Sequence, residues 1–207
     1  MKIIKQHVTI LKDNIDESDE DLKKRIYLKL EKIARNAYAS EHKNPNNNLS
    51  ITIDFLKKIM RKKHLGILEH VQVSFEIVAN RAILNELVRH RMASYVQNST
   101  RYIRYNDDIE FIEPYGFVEN SVEYNIWLKA CRQSEHAYHK LLNNGINPGN
   151  ARDVLNLSLA SKIIVTMNLR SWLHYLELRL AKTAHPQIRT ISNEISEILH
   201  GMLPIIF

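Results

Sequence analysis

Residues 70–77, HVQVSFEI, alternate cleanly: Val71, Val73, Phe75 and Ile77 point one way, Gln72, Ser74 and Glu76 the other. Period two in β-branched and aromatic residues predicts a half-buried strand. The period then changes. Ala79, Ile83 and Leu87 in ANRAILNELVRHR (79–91) recur at helical spacing, which predicts a helix running toward Arg91 and then a loop. Upstream, 3–11 alternates weakly and suggests a first strand. Leu22, Ile26, Leu30, Ile33, Ala34 and Ala37 mark a helix, with Ser18 and Asp21 as a capping box at its start. NPNNN (44–48) interrupts the pattern. A shorter helix follows, with Phe55, Leu56, Ile59 and Met60 on one side, and ends in the basic run RKKH (61–64).

Downstream, Asn120 with Glu123 can open a helix whose apolar side is Val122, Ile126, Ala130, Ala137 and Leu141, stopped by Asn143, Asn144 and Gly145. NPGN (147–150) reads as a turn. KIIVTMN (162–168) is rich in β-branched residues, which fits either a strand or a buried helix. RSWLHYLELRLAK (170–182) and 187–200 are helical. No repeat and no linker divides the chain. The expected class is α+β: one domain over 1–207, mostly helical, with a small antiparallel sheet.

A length of 207 residues with 44% hydrophobic content suits one compact domain. Composition adds a charge constraint. The formal net charge is +6 and the pI about 9.3, which points to an anionic partner: nucleic acid, a phosphate-bearing small molecule or an anionic membrane surface. Cys131 is the only cysteine, so no intramolecular disulfide forms. The N-terminal MKIIKQHVTILKD lacks the apolar core of a signal peptide, and no run reaches membrane-spanning length. A cytoplasmic protein without a membrane partner is expected.

Candidate chemistry concentrates in RHRMASYVQNSTRY (89–102). On a helix, Glu86, Arg89 and His90 fall at i, i+3 and i+4 on one face, with Arg91 rotated about 100° from His90. The basic side chains then diverge toward two ligand groups. Guanidinium forks suit phosphates, and Ser99, Thr100 and nearby amides can add hydrogen bonds. Arg101 supplies another fork. On charge and spacing alone, two other readings stay open: a solvated basic helix end, or a nucleic-acid patch in which Tyr95, Tyr102 and Tyr105 stack on bases. Other templates fit poorly. Cys131 in LKACRQSEH reads as packing. His136 and His139 lack the glutamate of a zinc-peptidase helix, and no metal site is expected. Five scattered glycines form no phosphate loop.

Arg89-His90-Arg91, seven residues and then Ser99 resembles the signature of the flavin-dependent thymidylate synthases, the ThyX family, and STRY continues the match. In order along the chain, ARNAY (34–38), His64 with Glu69-His70, NARDVL (150–155), TMNLRSWLHYLELR (166–179) and AHPQIR (184–189) resemble further family segments. The resemblance implies a ThyX-like fold and a homotetramer with shared active sites. It implies FAD as cofactor, with NADPH and methylenetetrahydrofolate as co-substrates in converting dUMP to dTMP.

Residue by residue, the resemblance implies FAD contacts from His64, Gly66, Glu69, Arg89, His90, Arg91, Gln97, Asn168, Arg170 and His174. It implies dUMP contacts from Glu86, Arg89, Gln97, Asn98, Ser99, Thr100, Arg101, Arg152 and Arg179, with Arg152 approaching from another subunit. Arg179 takes the place of the arginine at the pyrimidine and is the catalytic candidate. Helical spacing puts Arg179 on a ridge with Trp172 and Tyr175, so it is expected to rise from an apolar surface. The chain departs from the family at Glu86, where glutamine is frequent, at Gly66 (serine or threonine), His174 (asparagine), Ala181 (aspartate in some members) and Gln187 (glutamate). A nucleic-acid-binding module using 89–105, and a catalytically silent relative, are the competing readings.

Overall fold

The computed structural model describes residues 1–11 and 20–207; Ser18 of the expected capping box lies outside the described residues. In chain order the elements are β1 (Lys2–Ile4), β2 (His7–Ile10), α1 (Glu20–Asn36), α2 (Leu49–Arg61), β3 (Gln72–Asn80), α3 (Arg81–Leu87), β4 (Ser94–Gln97), β5 (Glu110–Ile112), α4 (Val122–Asn143), α5 (Pro148–Ala151), β6 (Ala160–Asn168), α6 (Leu169–Arg179) and α7 (Pro186–Met202). Short 3-10 turns cover Leu65–His70 and Arg152–Val154.

The backbone of the fold is the antiparallel pair β3–β6, in register from Gln72 opposite Asn168 to Asn80 opposite Ala160. Both strands send alternate residues into the core: Val73, Phe75 and Ile77 from one, Ile163, Val165 and Met167 from the other. KIIVTMN is therefore strand. With β2 beside β3 and β4 beside β6, the sheet runs β2-β3-β6-β4, antiparallel throughout. Helices α1, α2, α3, α6 and α7 supply the other side of the main core. Trp172 and Tyr175 of α6 lie fully buried. The Trp172 ring meets Phe75 edge-on at 5.1 Å, and its Nε1–H donates to the Val73 carbonyl at 3.1 Å. Burying side chains of this size contributes about 1.5–3 kcal/mol each.

Two parallel devices join the central strands to their helices. At the end of β3, Asn80 accepts the Ile83 amide at 2.8 Å and starts α3. At the end of β6, Asn168 accepts the Ser171 amide at 2.8 Å and starts α6. Each side chain satisfies an amide that the first helical turn leaves free. Because the strands are antiparallel, the helices leave from opposite ends of the sheet. Their C-terminal ends then meet, and that meeting point carries the site.

Several expectations are corrected. The single strand over 3–11 is two: β1 pairs in parallel with β5, and β2 joins the main sheet. Ala79 belongs to β3, and α3 stops at Leu87, so Arg89, His90 and Arg91 follow the helix rather than ride on it. Residues 94–97 form an edge strand instead of a loop. NPGN becomes one helical turn, capped by Asn147 with Pro148 at its start. Ser121, not Asn120, caps α4, accepting the Tyr124 amide at 3.1 Å. The buried face of α4 is Tyr124, Cys131, Ser134, Tyr138 and Leu142, packed over Phe111 and Leu159, while Val122 and Ile126 stand 71% and 66% exposed. The aromatic rings and Cys131 won the interior.

Candidate active site

Residues Leu169, Trp172, Tyr175 and Leu176 turn one side of α6 into the core. Arg170, His174 and Leu178 then share the other side at intervals of four, and Arg179 closes the helix. Across from them runs Arg89-His90-Arg91-Met92, released by the early end of α3. Met167 and Asn168 at the end of β6, and Glu69 in the 3-10 turn, complete a pocket of about 600 Å³.

Three contacts fasten Arg179. Its Nε–H donates to His90 Nε2 at 2.9 Å, Nη1 to Glu86 Oε2 at 3.0 Å, and Nη2 to the Glu86 carbonyl at 3.1 Å. The Arg179 side chain is only 19% exposed, as its ridge position implied. Since Nε2 of His90 accepts, this network places the ring proton on Nδ1. Burial, and then the charges of Arg179 and His174, bring the His90 pKa down to about 4, so the ring is neutral at neutral pH. Tyr95 in β4 steadies the turn: its hydroxyl lies 2.8 Å from the His90 carbonyl and 3.0 Å from that of Leu87. Burial pushes the Tyr95 and Tyr175 hydroxyls up to about 12, so both stay protonated.

The other arginines divide by partner. Arg170 reaches Glu69 at 2.5 Å. Among the described residues, no carboxylate pairs with Arg89 or Arg91, both exposed. Two unpaired guanidinium groups beside the apolar Met92, Met167 and Leu178 suit a ligand with a flat apolar portion and anionic groups.

The remaining predicted residues lie elsewhere. Ser99, Thr100 and Arg101 follow β4. The Ser99 hydroxyl accepts the Arg101 amide at 3.3 Å, and Arg152 Nη1 donates to Thr100 Oγ1 at 3.3 Å. Arg152 thus sits on its own chain's 99–101 segment. Gly149 helps: a Cβ there would come 3.2 Å from Arg101 Cγ. Gln97 donates to Ser161 Oγ at 3.2 Å, and the Asn98 amide to the Lys162 carbonyl at 2.9 Å. His64 and Gly66 share the Glu69 segment but do not line the pocket. The His64 Nδ1 lies 2.7 Å from the hydroxyl of Tyr38, from ARNAY. Around Gly66 a Cβ would meet nothing within 4 Å, so a larger residue fits there.

Met92, Met167, Ser171 and Leu178 were not anticipated. Their signal is faint: Leu178 continues the Arg170–His174 stripe, but an apolar residue beside cations reads equally as packing. Cys131 is fully buried, with its thiol pKa raised by burial; it is packing, as its surroundings suggested.

The pocket sets arginines and an apolar wall at converging helix ends, without a glycine-rich loop, an arrangement that suits a planar, anionic ligand. A family model described as "Thymidylate synthase complementing protein" matches residues 21–205. Proteins named flavin-dependent thymidylate synthase match in Geobacter sulfurreducens (36% identity over 155 residues, 74% of this chain and 67% of that one) and Pyrococcus abyssi (38% over 146 residues, 69% and 60%). Another, in Thermococcus onnurineus, is 38% identical over 141 residues, 66% of this chain and 58% of that one. The matched stretch spans about two thirds or less of these relatives. The crystal structure of the UMP/dUMP methylase PolB from Streptomyces cacaoi, bound with 5-Br dUMP, shares the fold: TM-score 0.79, covering 100% of this chain and 95% of that one at 23% identity. The chain belongs to the thymidylate synthase complementing protein family, that of the flavin-dependent thymidylate synthases.

Proposed function

We propose that this chain, with residues 1–207 acting as one unit, is a flavin-dependent thymidylate synthase. It converts dUMP to dTMP with methylenetetrahydrofolate as carbon donor and NADPH as reductant through FAD. The observation that carries the reading is the juxtaposition of Arg89 and Arg91, which have no carboxylate partner among the described residues, with the fastened Arg179. The pocket fits FAD: Met92, Met167 and Leu178 offer an apolar wall, Arg89 and Arg91, without a carboxylate partner among the described residues, offer charge for a diphosphate, and Asn168, Arg170 and His174 add polar groups to the lining. A bound flavin supplies the reducing equivalents that the methylation consumes.

The chain's own residues then bind and polarise. Three contacts leave Arg179 one N–H on each terminal nitrogen for a pyrimidine. Fixed positive charge there stabilises negative charge developing on the ring and makes C5 electron-rich. Neutral His90 orients Arg179 and donates no proton from an imidazolium. Ser99, Thr100, Arg101 and Arg152 form a separate phosphate-binding group, with Gln97 and Asn98 leading into it. A homotetramer would bring this group from one subunit to the pocket of another and join two half-sites into one. Among the described residues no helix is long and apolar enough to cross a membrane, in keeping with a cytoplasmic enzyme.

The decisive test is tritium release from dUMP labelled at C5. Release dependent on FAD, folate and NADPH supports the enzyme. A colourless protein that releases none and binds nucleic acid with steep salt dependence would support the competing module instead.

A further inference from the structure

Glu86 meets Arg179 with both its carboxylate and its carbonyl, at 3.0 and 3.1 Å. The groups around this pair contribute unequally. His90 is neutral at neutral pH, and Tyr95 and Tyr175 are protonated hydroxyls. His174 faces the same space from α6, with Arg89 and Arg91 across the pocket and Arg170 balanced by Glu69. Among the described residues, Glu86 is thus the one carboxylate bonded to Arg179, and it opposes that arginine's charge at close range.

We propose that Glu86 is a positioning residue: it turns Arg179 toward the pocket and cancels part of its field, so a bound uracil ring keeps its N3 proton to higher pH than an unpaired arginine would allow. The inference rests on the dUMP reading above. A cation beside the ring favours loss of the N3 proton, and a carboxylate of similar proximity opposes it. The Glu86 carbonyl contact survives any side-chain change, so orientation and charge can be separated.

The experiment is calorimetric titration of the flavin-loaded protein with dUMP, from neutral pH to beyond the pKa of free uracil. Glu86→Gln keeps the shape and an acceptor for Arg179 but removes the charge. The pH at which dUMP affinity starts to rise should drop by about one unit, giving about tenfold tighter binding than wild type on the alkaline side. Glu86→Leu removes acceptor and charge together and should bind more weakly than Glu86→Gln at every pH. Glu86 lies about one-third exposed, so neither variant threatens the core. A wild-type protein that binds dUMP with a profile Glu86→Gln leaves unshifted overturns the charge role. Equal affinity of the two variants at every pH overturns the positioning role. A wild-type protein that binds no dUMP overturns the dUMP reading and takes the inference with it.

Discussion

At the scale of single residues, Arg179 carries the strongest expectation. Lysine in its place keeps the charge but cannot reach His90 and both Glu86 oxygens from one planar group. Arg179→Lys should fold, retain flavin, bind dUMP more weakly and lose at least about tenfold in dTMP formation; removing a preorganised donor commonly costs about 2.7–4 kcal/mol. Wild-type dTMP formation by this variant would refute the assignment. Arg91 and Arg101 lie in separate groups, so their losses should separate as well. Arg91→Ala should purify pale and recover with added FAD, whereas Arg101→Ala should stay yellow and bind dUMP about ten- to a hundred-fold more weakly. Equal loss of both ligands in each variant would contradict the division. Gln187 shows why one family departure suits this chain. Its buried amide donates to the Glu113 carbonyl and accepts from Asn80, both at 3.3 Å. A carboxylate cannot donate to that carbonyl. Gln187→Glu should therefore lower stability by about 1–3 kcal/mol, read as a fall in denaturant midpoint at constant slope.

Elements with one clear period were legible in the sequence. The strand through Phe75 and the helices through Leu30, Leu56, Trp172 and Ile195 emerged within a few residues of their ends. Where two patterns overlapped, the pattern misled: α4 has apolar residues on two faces, and periodicity alone does not say which face is covered. The short edge strand β4 was hidden because it borders solvent and lies inside a polar run. Of the residues the resemblance named, the structure places Glu69, Arg89, His90, Arg91, Asn168, Arg170, His174 and Arg179 around one pocket. Glu86 bonds Arg179 beside that pocket, Gln97 and Asn98 lead into the 99–101 segment that Arg152 joins, and His64 and Gly66 stand outside the pocket lining, a separation no spacing reveals. Helix ends also predict pH behaviour. The folded state lowers the His90 pKa from 6.5 to about 4, so between those values the unfolded chain binds the proton more readily. Stability should fall as pH drops through that window, and His90→Gln should flatten this limb of the melting-temperature profile. A second loss belongs to lower pH. Burial opposes ionisation of Glu31, but hydrogen bonds from Thr52, Arg35 and Asn44 prevail and lower its pKa, so its contribution disappears on acidification below the ordinary carboxylate range.

At the scale of the whole molecule, the pocket and the 99–101 group occupy separate parts of one chain, and Val122 and Ile126 leave apolar surface uncovered. Sedimentation of the flavin-loaded protein should give a tetramer at micromolar concentration; a monomer that turns over at full rate would refute shared sites. The opposed departure of α3 and α6 from β3 and β6 has a further consequence for folding. A two-residue slip between those strands preserves which side chains face the core, yet displaces one strand along the other by about 7 Å. Glu86 and Arg179 would then miss each other, and the pocket would not close. Misaligned chains can still bury much of their apolar surface, but they cannot retain the ligand. A flavin that binds only the native alignment would therefore draw the population toward it by mass action, and flavin colour in the purified protein would report how many chains have found it.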